Sequence, residues 1–250
     1  MVAPSNKNAI ALAWEFFKGN YALNFAALAI LIVIYLLGML PIIGLLFIMA
    51  YSILSLSIQV YFGKNVLRVS TPQEMGEIAQ NTKIGELLTQ WLQVAAGAFL
   101  AYFFIGIFFG ILFSLLGGMS AAAMDPQNID NMEAAVTSFG AIGLLLLIVA
   151  GFFFYFFPAV IGRVIKTEDF VAAFKTSFLI FSPTLWKSCF NKEYFVLILI
   201  WSLIVLGAVF LIGITAMTLI LIPVAAVIMY LLSLYNAAIY VFADQLSVKE

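Results

Sequence analysis

The chain has 250 residues, 65% of them hydrophobic and 9% charged, with a mean hydropathy of +1.16. Soluble domains are about 45–50% apolar and about 25% charged, and folding hides only part of a chain's surface, so a water-soluble fold is excluded. The formal net charge of -1 decides little, and the absence of histidine removes the commonest general base, metal ligand and pH switch.

Residues 1–20 predict an interfacial helix. Ile10, Ala13, Trp14, Phe17 and Tyr21 recur at helical spacing, with Lys7, Asn8, Glu15 and Lys18 elsewhere on the wheel. The layout lacks the basic end, short apolar core and small-residue cleavage site of a cleaved signal peptide. The first span is therefore expected to be retained as a signal-anchor.

Apolar runs follow near residues 22–40, 42–62, 92–117, 140–161, 194–214 and 219–241. Crossing about 30 Å of hydrocarbon takes about 20 helical residues, and each run has that length. None contains Asp, Glu, Lys or Arg, so each inserts at low cost. Turns are expected at Gly38-Met39-Leu40-Pro41 and around Gly213-Ile214-Thr215. An external loop over 118–139 carries Asp125, Asp130 and Glu133 and nothing basic.

The connections between pairs of runs, 63–91 and 162–193, are longer and patterned. Thr71-Pro72-Gln73-Glu74 reads as a capping box with proline at the first helical position. Thr167, Glu168 and Asp169 open a second segment. Phe170, Phe174, Phe178 and Phe181 then form a stripe expected to lie on the membrane surface, with Lys175 turned to water and Ser182-Pro183 ending it. Gly63-Lys64-Asn65-Val66-Leu67-Arg68 and Gly162-Arg163-Val164-Ile165-Lys166 form a weak repeat, each leading toward a threonine cap.

The eleven lysines and arginines fall into four clusters: Lys7 and Lys18; Lys64, Arg68 and Lys83; Arg163, Lys166, Lys175, Lys187 and Lys192; and Lys249. All lie on the same side of the predicted spans, which is the positive-inside pattern. The expected fold is therefore all-α: one polytopic domain over 1–250, six transmembrane helices in three hairpins, and amphipathic helices on the cytoplasmic face. Both termini are expected in the cytoplasm, and the membrane is expected to be a cytoplasmic (inner) one. The single cysteine, Cys189, rules out an internal disulfide.

Candidate functional residues are few. Ser52, Ser55 and Gln59 in the second run share one helical face, as do Ser233, Asn236 and Tyr240 in the sixth. Interhelical hydrogen bonds, worth about 0.6 kcal/mol each, are the commoner use of such residues. A polar cleft in the cytoplasmic half is the alternative. Gly106, Gly110 and Ser114 form a small-residue stripe that predicts close helix packing, inside the chain or against a second copy. Gly151-Phe152-Phe153-Phe154-Tyr155-Phe156-Phe157-Pro158 reads as lipid contact, with a lipid-tail groove as the alternative and a kink expected at Pro158. Asp244, Glu15 and Arg163 sit at span ends, where side chains are expected to reach water. No phosphate loop, zinc helix, nucleophile elbow or metal-ligand cluster is present.

Four features carry a family resemblance: the start with Trp14, Phe17, Lys18 and Asn20; the turn Leu40-Pro41-Ile42-Ile43-Gly44; the passage from Tyr51 to Gly63-Lys64; and the link from Phe157-Pro158-Ala159 to Glu168-Asp169-Phe170-Val171-Ala172-Ala173-Phe174. On these the chain resembles a broad family of six-helix bacterial membrane domains of unknown function, similar to the membrane domain fused to some glycerophosphodiester phosphodiesterases. Ala50 stands where that family often has glycine, and no phosphodiesterase domain is present. The resemblance implies architecture only.

The resulting expectation is a non-enzymatic integral membrane protein with no cofactor and no nucleic-acid partner. It would organise membrane lipids, other membrane proteins or copies of itself. The alternative is a transporter or channel for an uncharged or lipidic solute, working through the polar cleft.

Overall fold

A computed structural model describes the backbone of residues 1–122, 129–216 and 221–248, and the side chains of 1–115, 143–215 and 221–248. Eleven α-helices appear in order: α1 (Asn6–Gly19), α2 (Tyr21–Leu37), α3 (Gly44–Val66), α4 (Pro72–Asn81), α5 (Ile84–Thr89), α6 (Leu92–Ala122), α7 (Ile129–Ile165), α8 (Phe170–Ser177), α9 (Pro183–Cys189), α10 (Lys192–Ala216) and α11 (Ile222–Ser247). There is no strand among the described residues, and the protein is an all-α polytopic membrane protein. Helices α3, α6, α7, α10 and α11 are long and apolar enough to cross a membrane. Helix α2 has 17 residues, at the lower limit of the roughly 17–25 a span needs.

A bend of 97° separates α1 from α2, and two asparagines build it. Asn20 caps α2, its Oδ1 accepting from the Leu23 amide at 2.9 Å, while its Nδ2 donates to the Ala79 carbonyl of α4 at 3.1 Å. Asn24 is fully buried and donates to the carbonyls of Phe16 and Phe17. Those last-turn carbonyls of α1 have no amide of their own helix to accept. The buried face of α1 is Ala9, Leu12, Ala13, Phe16 and Phe17, and Ile10 and Trp14 are each 48% exposed. The predicted surface helix is therefore half sunk: it packs on α4 and α11, and only part of the expected apolar stripe faces outward.

Several predicted boundaries move. The expected external loop 118–139 is largely helical, because α6 runs to Ala122 and α7 starts at Ile129. Asp125 lies outside the described residues, as do the side chains of Asp130 and Glu133. Gly213, Ile214 and Thr215 are still within α10, which runs to Ala216, so the turn expected there does not occur at those residues; residues 217–220 are also outside the described set. Between α2 and α3 the turn extends past Pro41. There the Ile43 amide donates to the Pro41 carbonyl at 2.8 Å around Ile42, whose φ is 69°. This is the strained γ-turn, in a β-branched residue for which positive φ is a true outlier.

Helices α8 and α9 also differ from expectation. Asp169, not Thr167, caps α8, accepting from the Ala172 amide at 2.8 Å, while Thr167 donates back to the Val164 carbonyl. Phe170, Phe178 and Phe181 are partly exposed as expected, but the stripe is also braced from below: Phe174 packs edge-on to Phe104, and Phe181 lies against Phe109 and Phe153. Ser182-Pro183 ends this run, and Pro183 opens α9. Pro158 lies within α7, which continues through it.

Burial is one-sided. Lys64 of α3 meets Glu168, and both Arg163 and Lys166 meet Asp244 near the end of α11. Asn6 of α1 meets Leu197 near the start of α10. The end of the bundle that carries these contacts is here called the basic end. The core sits there: Leu23 to Leu31 of α2, Ser57 to Val66 of α3, Val94 to Ala101 of α6, Phe156 to Ile165 of α7, Tyr194 to Trp201 of α10, and most of α11 from Tyr230 to Ser247. Toward the far end, the buried residues among those described in these helices are Gly44 and Ala225. Helix α11 is the axis, touching α1, α3, α7 and α10. Close approach explains why packing is tight here: a Cβ on Gly162 would strike the Tyr240 carbonyl of α11, and one on Gly97 the Phe170 carbonyl of α8. Apolar attraction gives no advantage between helices in lipid, so backbone approach at small residues must supply the contact.

Candidate functional site

Among the described residues no hydrogen bond joins the two polar stripes. Ser52 donates to the Ile48 carbonyl and Ser233 to the Tyr230 carbonyl, each within its own helix. Asn236 turns toward α10, accepting from the Trp201 indole at 2.8 Å. The Tyr240 ring packs edge-on to the same indole, with centroids 6.3 Å apart. The α11 stripe thus serves the α10–α11 seam. Ser55 and Gln59 are half-buried on α3 and make no hydrogen bond to a described side chain. The small-residue stripe makes no close contact among the described residues: Gly106 and Gly110 have nothing within 4 Å of an added Cβ, and Ser114 is exposed. The internal close packing expected there occurs instead at Gly97 and Gly162.

The densest electrostatics lie where α7 and α11 end side by side. Asp244 is 1% exposed, which corrects the expectation that it reaches water. Its Oδ1 is 3.0 Å from Arg163 Nε, and its Oδ2 is 2.5 Å from Lys166 Nζ. A carboxylate in the last turn of a helix opposes the helix dipole, whereas cations there are favoured. The two α7 cations therefore compensate a charge that α11 could not hold alone. Isolated burial of that carboxylate would cost several kcal/mol.

A second node joins the two connecting segments. The Lys64 ammonium, on a side chain 6% exposed, is 2.8 Å from Glu168 Oε1 and 3.8 Å from the centre of the Trp91 ring. Contact with an aromatic face contributes about 0.5–2 kcal/mol, and it matters here because Glu168 is 72% exposed and its own attraction is screened. At the start of α4, Glu74 accepts from the Ser70 amide at 2.9 Å and the Thr71 hydroxyl at 3.1 Å. The Ser70 hydrogen bond holds its carboxyl below the usual carboxylate range.

Three asparagines make polar contacts that had no counterpart in the expectations from sequence. Asn24 accepts from the Tyr230 hydroxyl at 2.8 Å. Asn6, 8% exposed, accepts from the Tyr235 hydroxyl and donates to the Leu197 carbonyl at 3.1 Å. Asn191 caps α10 through the Tyr194 amide and reaches the Leu246 carbonyl. For Asn24 and Asn191 the available signal was an asparagine inside or just before an apolar run, where an unpaired amide is costly; Asn6, in the interfacial segment, gave none. Together these groups pin α1, α2 and α10 to α11. They are donors, acceptors and fixed charges that hold helices and can present a polar rim. Among the described residues no three His, Cys, Asp or Glu side chains gather as a metal site.

No family model, curated protein or solved structure matches this chain.

Proposed function

We propose that this chain is a non-enzymatic integral protein of a bacterial-type cytoplasmic membrane that organises lipid or other membrane proteins, with its basic end and both termini in the cytoplasm. The observation that carries this reading is the one-sided burial. A packed, ion-paired platform forms the basic end, while the far halves of the helices present Leu, Ile and Phe outward, as at Leu147, Leu206 and Phe210, which are 72%, 68% and 69% exposed. Such surfaces require lipid tails or other apolar helices around them. The single-sided distribution of Lys and Arg supports the orientation. The resemblance to six-helix bacterial membrane domains supports the architecture.

Native mass measurement in mild detergent, paired with a flux assay in liposomes, tests this. Retained lipid or a co-purifying membrane protein, with no saturable solute flux, is the expected result. Saturable flux or substrate turnover by the purified chain would overturn it.

One observation favours transport as a second reading: Gln59 is half-buried yet bonds to no described side chain. Under that reading Gln59→Leu together with Asn236→Leu abolishes flux as well as lowering thermal stability. Under the first, the pair alters stability alone, through loss of the Trp201–Asn236 hydrogen bond.

A further inference from the structure

A groove of about 1060 Å³ opens at the basic end between the start of α1 and the outer face of α10. Its rim holds Ser5, Lys7, Lys192 and Glu193, and its apolar wall holds Ile10, Val196, Ile200 and Ile204. We propose that this groove binds a single anionic phospholipid, its phosphate between Lys7 and Lys192 and one acyl chain along α10. The inference rests on the reading of the chain as a lipid-organising protein and names the lipid class and the place.

Three observations carry it. The first is shape. Lys192, Val196, Ile200 and Ile204 recur every four residues and so follow one face of α10. At 1.5 Å per residue they span about 18 Å, a cation at the polar end and branched apolar groups below it. That is the order of headgroup and acyl chain in a lipid.

The second is charge. Lys7 and Lys192 are exposed, and neither is ion-paired among the described residues. With the Glu193 carboxylate counted against them, the rim remains cationic. It is reinforced by the N-terminal ends of α1 and α10, whose dipoles favour an anion. No acidic residue lies in the first turn of α1. The third is rigidity: Asn6 fixes the start of α1 to both neighbours, donating to Leu197 of α10 and accepting from Tyr235 of α11. The two sides of the groove are thus held at a set distance without the lipid.

A soluble phosphate would meet the rim alone and leave Val196 and Ile200, 43% and 41% exposed, uncovered. Phospholipid covers both parts.

The test is competition between phosphatidylglycerol and phosphatidylcholine of identical chains, at equal amounts in mixed micelles, read as retained lipid by native mass measurement. One lysine's worth of net attraction, about 1 kcal/mol, predicts a phosphatidylglycerol preference of about fivefold. Lys7→Gln with Lys192→Gln should bring the ratio close to one. Lys83→Gln with Lys187→Gln, both exposed and outside the groove, should leave it unchanged. Millimolar glycerol phosphate should not compete. The proposal is overturned if the Lys7/Lys192 variant keeps the preference, if the control pair loses it equally, or if glycerol phosphate displaces the lipid. Lipid retained without headgroup preference would sink the groove while leaving the broader reading standing, whereas saturable flux would remove the broader reading.

Discussion

At the scale of single residues, the charged groups divide by how far they can retreat to water. Arg163 and Lys166 share Asp244, but removing them has unequal consequences. Arg163→Met leaves a carboxylate with 2% side-chain exposure held by one flexible lysine, and breaking a buried pair in this way costs about 3–5 kcal/mol. Lys166 is 43% exposed, and its attraction is screened, so Lys166→Met should cost at most about 1 kcal/mol. Thermal unfolding in detergent should rank the two variants in that order, and equal losses would show that Asp244 depends on neither in particular.

At the scale of elements, small residues matter only where a neighbouring backbone lies against them. Gly162→Ala places a methyl group against the Tyr240 carbonyl and the Asp244 Cβ. Helices α7 and α11 must then separate, and overpacking of this kind costs about 1–3 kcal/mol or more. Gly106→Ala meets nothing within 4 Å and should stay within about 1 kcal/mol of the parent, the range set by helix propensity. Unfolding of both variants in the same detergent checks this, and a large loss at Gly106 would reveal a contact outside the single chain. The bend between α1 and α2 follows the same logic. It is a fixed junction rather than a flexible hinge, since Asn24 bonds across it to the Phe16 and Phe17 carbonyls and Asn20 caps α2 and ties it to α4.

At the scale of the whole molecule, the arrangement makes orientation measurable. Lys175 is exposed at the basic end, whereas Lys64 is 6% exposed, so a cysteine at position 64 would be shielded from either side. Lys175→Cys is the informative probe. Cys189 is fully buried, and burial pushes its thiol up to about 11. Thiolate is the reactive form, so the native cysteine should stay silent at pH 8 and need not be removed. A membrane-impermeant thiol reagent should label position 175 in inverted vesicles and not in intact cells. Labelling of intact cells would reverse the proposed topology.

What could be read from the residues, and what could not, follows from the range of the forces involved. Hydrocarbon length, the exclusion of charge from the apolar runs and the clustering of Lys and Arg are local properties, legible along the chain. They determined the class and the apolar helices, but not the caps between them: Thr71 makes no capping hydrogen bond at the start of α4, and Asp169 rather than Thr167 caps α8. The sequence also placed Asp244 at a helix end and gave α11 its serine, asparagine and tyrosine stripe, but not their partners. Asn24 and Tyr230 are 206 positions apart, and nothing local encodes such a pairing. Only the tertiary structure decided that Asp244 is buried, that the α11 stripe turns to Trp201 instead of toward α3, and that Gly97 and Gly162 carry close contacts while Gly106 and Gly110 do not. The physical reason is that a polar or small residue is defined by what it meets. In a helical bundle, which neighbour it meets depends on helix rotation, and helical periodicity alone leaves that rotation free.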